Sequence, residues 1–502
     1  MKYVIKNVLI SGVIYVKSNG KVGDHLFTLP SSTTYVVDGM TINEQKYEYT
    51  NSVTSEELEN GDFKQNVLKW NFTPEVFFES AGFMYRVIDD SYIVLLHYVG
   101  DGTTISVPST INGLPVIGIM DSAFVDETKV KRVEIPSTIL FIGPAILRGC
   151  YNIESIKMED VDVKSINDLF GNVEYDNSYR AGDETNSRFY YIPIVLRKLE
   201  LGSKSHTIEY AYENYGAFDG YKSLEVVVLE DDIEMLAYKM FNCCYNLREI
   251  NMPQSLKYVP EYCLCNTKIT QIKLGDATTK IGNSAFQDCK YLSEIRISPY
   301  TTEIGTNAFY ECQSLTSLVL PETLTKLSDY AFANCINLRS INIPSKISII
   351  SDSLFMCCEK LSSIDIPDTV TAIQSQAFNC CTALTKIKIP SGVRIIETST
   401  FTSCSQLREV ILPDTVHTIE ETAFALCYNL EKIEFSSNLR IIANNAFGTC
   451  SRLNPYIPSS VLVIEKRAFT DTGTVYCEAT EKPDLWDNNW CTGEVAWGAH
   501  RQ

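Results

Sequence analysis

The sequence predicts a repeat solenoid, in which short parallel β-strands stack along one axis. At 502 residues the chain is too long for one ordinary globular core, so it needs several domains or an array that grows by repetition. An array is favoured because eight phenylalanines follow one another at intervals of 23 residues. A cysteine stands three residues beyond each of them, and a leucine stands six residues beyond. The phenylalanines are Phe286, Phe309, Phe332, Phe355, Phe378, Phe401, Phe424 and Phe447.

Each unit contains the motif Leu-x-x-Ile-x-Ile-Pro, as at Leu361, Ile364, Ile366 and Pro367. The two-residue alternation Ile-x-Ile is typical of a short strand with one buried face. Proline ends the strand because it has no N–H to donate to the ladder. A unit of 23 residues is too short to bury its apolar face alone, so the sequence predicts that the units stack and share one core.

The repeat resembles the BspA-like form of the leucine-rich repeat, with the unit Ala-Phe-x-x-Cys-x-x-Leu-x-x-Ile-x-Ile-Pro-x-x-Val-x-x-Ile. The resemblance runs from about Gly82 to the C-terminus, and the units around Phe124, Phe218 and Phe241 are looser. The asparagine that usually follows the strand is absent, as expected for this subtype. The resemblance implies a right-handed leucine-rich-repeat coil with parallel strands and a role in adhesion or in host or cell-surface interaction.

The repeat divides the chain into three parts. Residues 1–80 do not repeat and alternate short β-prone runs with polar turns, which predicts a small β-rich N-terminal domain or attachment segment. The solenoid is expected over residues 81–470, with an irregular insertion at 157–217 that includes a polar surface loop, residues 174–188. Residues 471–502 hold three of the four tryptophans and resemble the aromatic C-terminal cap of bacterial family members. We interpret them as a hydrophobic lid rather than a carbohydrate-stacking platform.

Charge and hydropathy argue against some partners. Forty-three Lys and Arg against 62 Asp and Glu give a net charge of −19, so the mean field repels phosphate backbones and we expect no nucleic-acid partner. No apolar run approaches the ~18 residues of a membrane span. The first residues hold a short apolar run but no small-residue cleavage site, so the sequence shows no clear signal peptide. A secreted or cell-surface location is suggested by the family resemblance alone.

Enzyme motifs are missing from the sequence. It holds no glycine-rich phosphate loop with a lysine, no Gly-x-Ser-x-Gly elbow and no His-Glu-x-x-His. The five histidines are scattered without metal-ligand spacing. We therefore expect a non-enzymatic protein with no cofactor and no metal ion.

The repeated cysteine has two interpretations. Stacked strands lie about 4.8 Å apart, so neighbouring thiols are close enough for a disulfide or a shared metal ion. Packing in the core is favoured, because free cysteine is among the most buried residue types. Tyr221 and Thr267 occupy the same position in other units, which also argues against a bonded ladder.

Further cysteines stand immediately before the repeated one, at Cys243, Cys357 and Cys380. Cys357 and Cys380 are one repeat apart and are expected to be lateral neighbours. In an exported protein a bridge between them, or between Cys477 and Cys491, is the alternative to free thiols.

The residues on either side of each buried strand residue face outward and form ladders along the predicted sheet. They vary from unit to unit while the core is constant, which suits either a recognition face or simple solvent exposure. Lys386, Lys388 and Lys432 predict a local positive spot on an acidic protein, which nearby carboxylates limit. The candidate binding residues are Arg296, Asn342, Asp365, Lys386, Lys388, Glu409, Lys432 and Glu434.

The sequence thus favours a non-enzymatic binding scaffold that recognises a protein or a glycan, or mediates adhesion, through its strand face. The alternative is a structural spacer or phage-like fibre component, in which the N-terminal segment attaches and the solenoid projects.

Overall fold

The Ile-x-Ile alternation builds a parallel sheet along the solenoid, with one short strand from each of most coils. A computed structural model describes residues 17–18, 21–22, 77–161, 169–170, 192–202 and 216–500. Strands pair in register with the equivalent residues of the next coil, as Gln271 does with Glu294. The strands of this first sheet are Thr104–Ser106, Arg132–Ile135, Ser155–Met158, Lys198–Leu201, Val226–Leu229, Glu249–Ile250, Gln271–Lys273, Glu294–Arg296, Ser317–Leu318, Ser340–Ile341, Lys386–Lys388, Glu409–Ile411, Lys432–Ile433, Tyr456–Ile457, Val475–Cys477 and Val495–Trp497.

A second parallel sheet comes from the later half of each unit, where the last isoleucine of the motif points into the core. Most of its strands have only two residues, because a turn follows at once. The two sheets confirm the predicted parallel-strand solenoid, which has about 16 turns. The strands of the second sheet are Leu114–Ile119, Phe141–Ile142, Tyr258–Val259, Lys280–Ile281, Glu303–Ile304, Lys326–Leu327, Ile349–Ile350, Ala372–Ile373, Ile395–Ile396, Thr418–Ile419, Ile441–Ile442 and Val463–Ile464.

An antiparallel meander precedes the first coil. Its last strand, Tyr92–Tyr98, pairs in parallel with Leu114–Ile119, so the meander extends the second sheet. The hairpin between its first two strands spans the predicted domain boundary at residue 80. Most of the predicted N-terminal domain lies outside the described residues. The remaining strands of this region are Lys17–Ser18, Lys21–Val22, Phe77–Ser80, Phe83–Ile88 and Thr110–Ile111.

The irregular region predicted at 157–217 contributes a regular strand to the first sheet. Lys198–Leu201 pairs in parallel with Ser155–Met158 on one side and with Val226–Leu229 on the other. Leu199 and Leu201 are buried, as the Leu-x-x-Leu-x-Leu pattern predicts. The predicted polar loop at 174–188 lies outside the described residues.

The repeated phenylalanines form one stack through the core. From Phe286 to Phe469, successive rings lie 5.2–5.9 Å apart between centroids and are tilted by 2–20°. Their side chains are completely buried. The nearly parallel, offset arrangement is a favourable geometry for aromatic pairs and links each coil to the next.

A left-handed residue stands two positions before and two positions after each phenylalanine of the stack. Around Phe378 these are Gln376, with φ 57°, and Cys380, with φ 58°. Alternate N–H groups of the turn then donate along the solenoid, as from Phe378 to the carbonyl of Thr400 at 3.0 Å. This third ladder of backbone hydrogen bonds satisfies polar groups that the turn would otherwise bury unpaired.

The repeated cysteine is a buried hydrogen-bond donor. The Cys381 thiol donates to the carbonyl of Phe355 in the preceding coil at 3.2 Å, and the same contact recurs at Cys404 and Cys427. Burial raises the pKa of Cys335 and of Cys450 to about 12, so these groups stay protonated and able to donate. A small side chain with one weak donor fits the position.

Two residues at the ladder position donate a hydroxyl instead, Tyr221 to the preceding coil and Thr267 within its own coil. Thr267 donates its hydroxyl to the carbonyl of Leu264 at 2.9 Å, and the Tyr221 hydroxyl donates to the carbonyl of Pro193. A hydroxyl thus replaces the thiol as donor. All seventeen cysteines are free in the structure, as the packing interpretation predicts for the ladder.

Tryptophans cover the C-terminal end of the phenylalanine stack. The Trp490 ring meets Phe469 nearly edge-on, at 87° and 5.9 Å between centroids, and Trp486 packs against Trp490 at 5.0 Å. Both tryptophans are buried, and the indole N–H of Trp486 donates to the carbonyl of Val461. Trp497 is partly exposed.

Replacing Phe378 with alanine should lower the free energy of unfolding by roughly 3–5 kcal/mol, because it opens a cavity in the stack. Lys388→Ala, on an exposed strand position, should change it by less than about 0.5 kcal/mol. Denaturant melts of the two variants measure the difference. Similar losses in both would contradict the inward and outward assignment.

Thiol labelling of the native protein should reach at most the four half-buried cysteines, Cys243, Cys357, Cys380 and Cys491. The other thirteen are buried, and the thiolate is the reactive form, so they should react only after denaturation. Mass spectrometry of labelled peptides distinguishes the sites. Rapid native labelling of most ladder cysteines would be incompatible with this packing.

Candidate binding face on the first sheet

The first sheet presents two outward positions per coil, on either side of a buried strand residue. In the strand Lys386–Lys388, Ile387 is buried and both lysines are exposed. We call the outward side chains between residues 294 and 434 the strand face. All eight candidate binding residues lie on it, as the alternation predicts.

Three consecutive coils of the strand face carry a Lys–Glu–Lys ladder. Glu409 accepts from the Lys386 ammonium at 2.8 Å through one carboxylate oxygen and from Lys432 at 3.2 Å through the other. The hydrogen bonds to Lys386 and then to Lys432 hold the pKa of Glu409 below its usual range. The carboxylate is therefore charged at neutral pH, and the ladder keeps a single net positive charge.

The structure therefore divides the predicted positive spot. Lys388 stands apart from the ladder and lies 4.0 Å from a carboxylate oxygen of Asp368, at the outer limit of an ion pair. Its side chain is 68% exposed, so solvent screens this contact and the ammonium is available to a partner. Glu434 is exposed on the coil of Lys432 and lowers the potential at that end.

A groove of about 540 Å³ opens on the strand face between the coils of Arg296 and Val319. Val319 is 81% exposed, and Pro299 and Pro321 line the same groove. The Arg296 guanidinium lies 3.9 Å from Asp276 and stays largely exposed. The sequence places Val319 on an outward position, but sequence reasoning did not single it out as a binding residue. The signal that could have identified Val319 was an aliphatic residue at an outward position whose neighbours are mostly polar.

Asn342 is engaged within the solenoid. Its amide accepts from the N–H of Leu320 at 2.7 Å and donates to the carbonyl of Leu320 at 2.9 Å, one coil earlier. Asn251 clamps Leu229 in the same way. Asp365, at the position of Asn342 in the next coil, is exposed.

The described residues show no arrangement typical of a metal centre. Among them, no three His, Cys, Asp or Glu side chains come together as a metal-binding group. No helix in the same part of the chain has the length and hydrophobicity to cross a membrane. The chemistry that the strand face offers is reversible: hydrogen bonds, ion pairs and apolar contact.

Asn342→Ala should lower the free energy of unfolding by about 1–3 kcal/mol, because it leaves the N–H and carbonyl of buried Leu320 without partners. Asp365→Ala is the matched control one coil further and should have little effect. Denaturant melts compare the two. If both variants are equally stable, the Asn342 clamp does not hold the coils together.

The chain was compared with curated proteins and with solved structures. A search of curated proteins gave no match. Among solved structures, a leucine-rich repeat protein from Bacteroides ovatus is 20% identical, with a TM-score of 0.44, and the match covers 83% of this chain and 99% of that one. A leucine rich cell surface protein from Faecalibacterium prausnitzii is 22% identical, with a TM-score of 0.30, and the match covers 67% and 94%. With TM-scores below 0.5, these two likenesses carry no argument about this chain.

The family is shown by the repeat itself. The model of the BspA type leucine rich repeat region matches residues 102–176, 186–302, 211–335, 302–430 and 348–476, most of the chain. These matches cover both the strict units and the looser units that precede them. The chain therefore belongs to the BspA-type leucine-rich-repeat family.

Proposed function

We propose that this protein is a non-enzymatic binding scaffold that recognises another protein through the strand face. The observation that carries the proposal is the open groove between Arg296 and Val319. Val319, which is 81% exposed, lies there near the Arg296 guanidinium, whose one ion pair among the described residues is long, at 3.9 Å to Asp276. Arginine beside an apolar pocket is a combination that is common where interfaces concentrate their binding energy.

The proposed partner places an apolar side chain in the groove and a carboxylate near Arg296. Lys388 lies three coils beyond Val319, or about 14 Å along the sheet at the usual strand spacing. This distance fits within an interface of ordinary size, about 800 Å² per partner. Lys388 would then bind a second acidic group, and the −19 net charge of the chain would disfavour partners that are acidic throughout.

A protein partner is favoured over a glycan by the composition of this face. Sugars commonly stack on aromatic rings, and the outward strand positions from 294 to 434 carry no aromatic residue. Adhesion and a secreted or cell-surface location, which the resemblance to BspA-like proteins suggests, are part of the same proposal.

One observation favours the alternative function, a structural spacer. Several strand-face side chains bind one another or the preceding coil, as in the Lys386–Glu409–Lys432 ladder and the Asn342 clamp. Such contacts stiffen a rod without requiring a ligand. A spacer would tolerate changes at Val319, whereas a binding protein would not.

Val319→Asp should weaken binding of a captured partner at least about tenfold, because it places a charge in the apolar groove. The full chain is immobilised, retained proteins are identified by mass spectrometry, and the affinity of each purified candidate is measured for the wild type and the variant. Ile349→Asp, a partly exposed aliphatic position on the second sheet, is the matched control and should bind like the wild type. The double variant Lys386→Glu, Lys388→Glu should reduce both the affinity and its salt dependence.

The outcomes separate the two functions. Equal affinity in wild type and Val319→Asp would remove the groove from the binding site. If none of the purified candidates binds the wild type directly, the spacer function is favoured.

A further inference from the structure

Cys357 and Cys380 occupy the same place in two adjacent coils, each two residues beyond a stacked phenylalanine. Both have a left-handed backbone with φ of 58°, and both are half-buried. The ladder thiols next to them, Cys358 and Cys381, are completely buried. The two half-buried thiols thus project from equivalent backbone positions, at the surface of the turn.

The separation of these coils suits a covalent link. The rings of Phe355 and Phe378 lie 5.5 Å apart, and the Cys357 N–H donates to the carbonyl of Asn379 at 2.7 Å. Stacked parallel strands lie about 4.8 Å apart, and disulfides span roughly 4.4–6.8 Å between Cα atoms, so equivalent residues of adjacent coils can be bridged. Cys357 and Cys380 have the same backbone conformation in adjacent, hydrogen-bonded coils, so closing a bridge requires side-chain rotation rather than movement of a coil.

The pair lies where the first sheet is interrupted. In the first sheet, residues 363–365 form no strand between Ser340–Ile341 and Lys386–Lys388. In the second sheet, Ile349–Ile350 and Ala372–Ile373 pair only with each other. The first sheet therefore contributes no strand pairing between these two coils, and a side-chain link adds a connection that the backbone lacks on that side.

Other neighbouring cysteines are less suited to reaction. Cys243 adjoins Cys265, and Cys491 adjoins Cys477, but one thiol of each pair is buried. The ladder thiols Cys358 and Cys381 are also unsuited, because each donates to a carbonyl within the core.

We propose that Cys357 and Cys380 form a redox modification site, at which a low-molecular-weight disulfide such as oxidised glutathione converts the two thiols into an inter-coil disulfide. One thiolate attacks a glutathione sulfur, which breaks the S–S bond, forms a mixed disulfide and releases one glutathione thiolate. The second protein thiolate attacks the protein sulfur of the mixed disulfide and releases the other. The protein loses two electrons, and the two thiol protons end on two molecules of reduced glutathione.

The bridge should reinforce the interrupted part of the solenoid. It closes a loop of one repeat and so restricts the unfolded chain. The oxidised protein should therefore unfold at a higher denaturant concentration than the reduced protein. Excess dithiothreitol should reverse both the bridge and this shift.

The test treats the native full chain with oxidised glutathione at mildly alkaline pH, because burial, and then the Cys380 thiol, raise the pKa of Cys357 to about 11 and the thiolate is the attacking form. Non-reducing trypsin digestion then separates the sites: cleavage after Lys346, Lys360 and Lys386 places the two cysteines on different peptides. We expect peptides 347–360 and 361–386 joined by one disulfide. Cys357→Ser and Cys380→Ser should each abolish the link and accumulate glutathione on the remaining half-buried thiol, while Cys243→Ser should leave the link intact.

Two results would overturn the proposal. One is a wild-type protein that carries glutathione separately on both cysteines without the linked peptides, because the thiols would then react independently. The other is a link that persists in either serine variant, because Cys358 or Cys381 would then be the bonded residue. A cross-linked protein with an unchanged unfolding midpoint would refute the proposed reinforcement.

Discussion

The rise from one coil to the next must satisfy two contacts at once. Backbone hydrogen bonds between parallel strands favour a spacing near 4.8 Å, whereas the stacked phenylalanines lie 5.2–5.9 Å apart between centroids. The rings meet both demands by sliding sideways, so that their faces are closer than their centroids. This offset contact requires a flat aromatic residue at the same position of the neighbouring coil. This condition accounts for the strict spacing of phenylalanine in the later units.

The periodic features could be predicted because each is a one-dimensional pattern. Phe378, Cys381 and Ile387 recur at fixed intervals, and all three are buried where the pattern places them. The bond of the Cys381 thiol to the Phe355 carbonyl could not be predicted, because a spacing does not reveal which atom a buried donor meets. The sequence therefore indicates that the thiol is buried but not which hydrogen bond it makes there.

The strand face is less predictable for a physical reason. Outward side chains have several rotamers, and their neighbours are 23 residues away in sequence. Asn342 occupies an outward position, but its amide turns back to Leu320, because two backbone groups there have no strand partner. Lys386, Glu409 and Lys432 stand in register, so their pairing follows from the ladder only when the register is known. The groove at Val319 depends on the sizes of the side chains in two coils together.

The edge-on Trp490 changes the surface that follows the last stacked phenylalanine. An offset stack is open-ended, since the last ring offers the same face as every ring before it, and an exposed coil could accept the first coil of another molecule. At 87° to Phe469, the indole presents no parallel face to continue the series. The indole therefore ends the aromatic series at Phe469, and the last stacked ring meets an edge rather than another ring face.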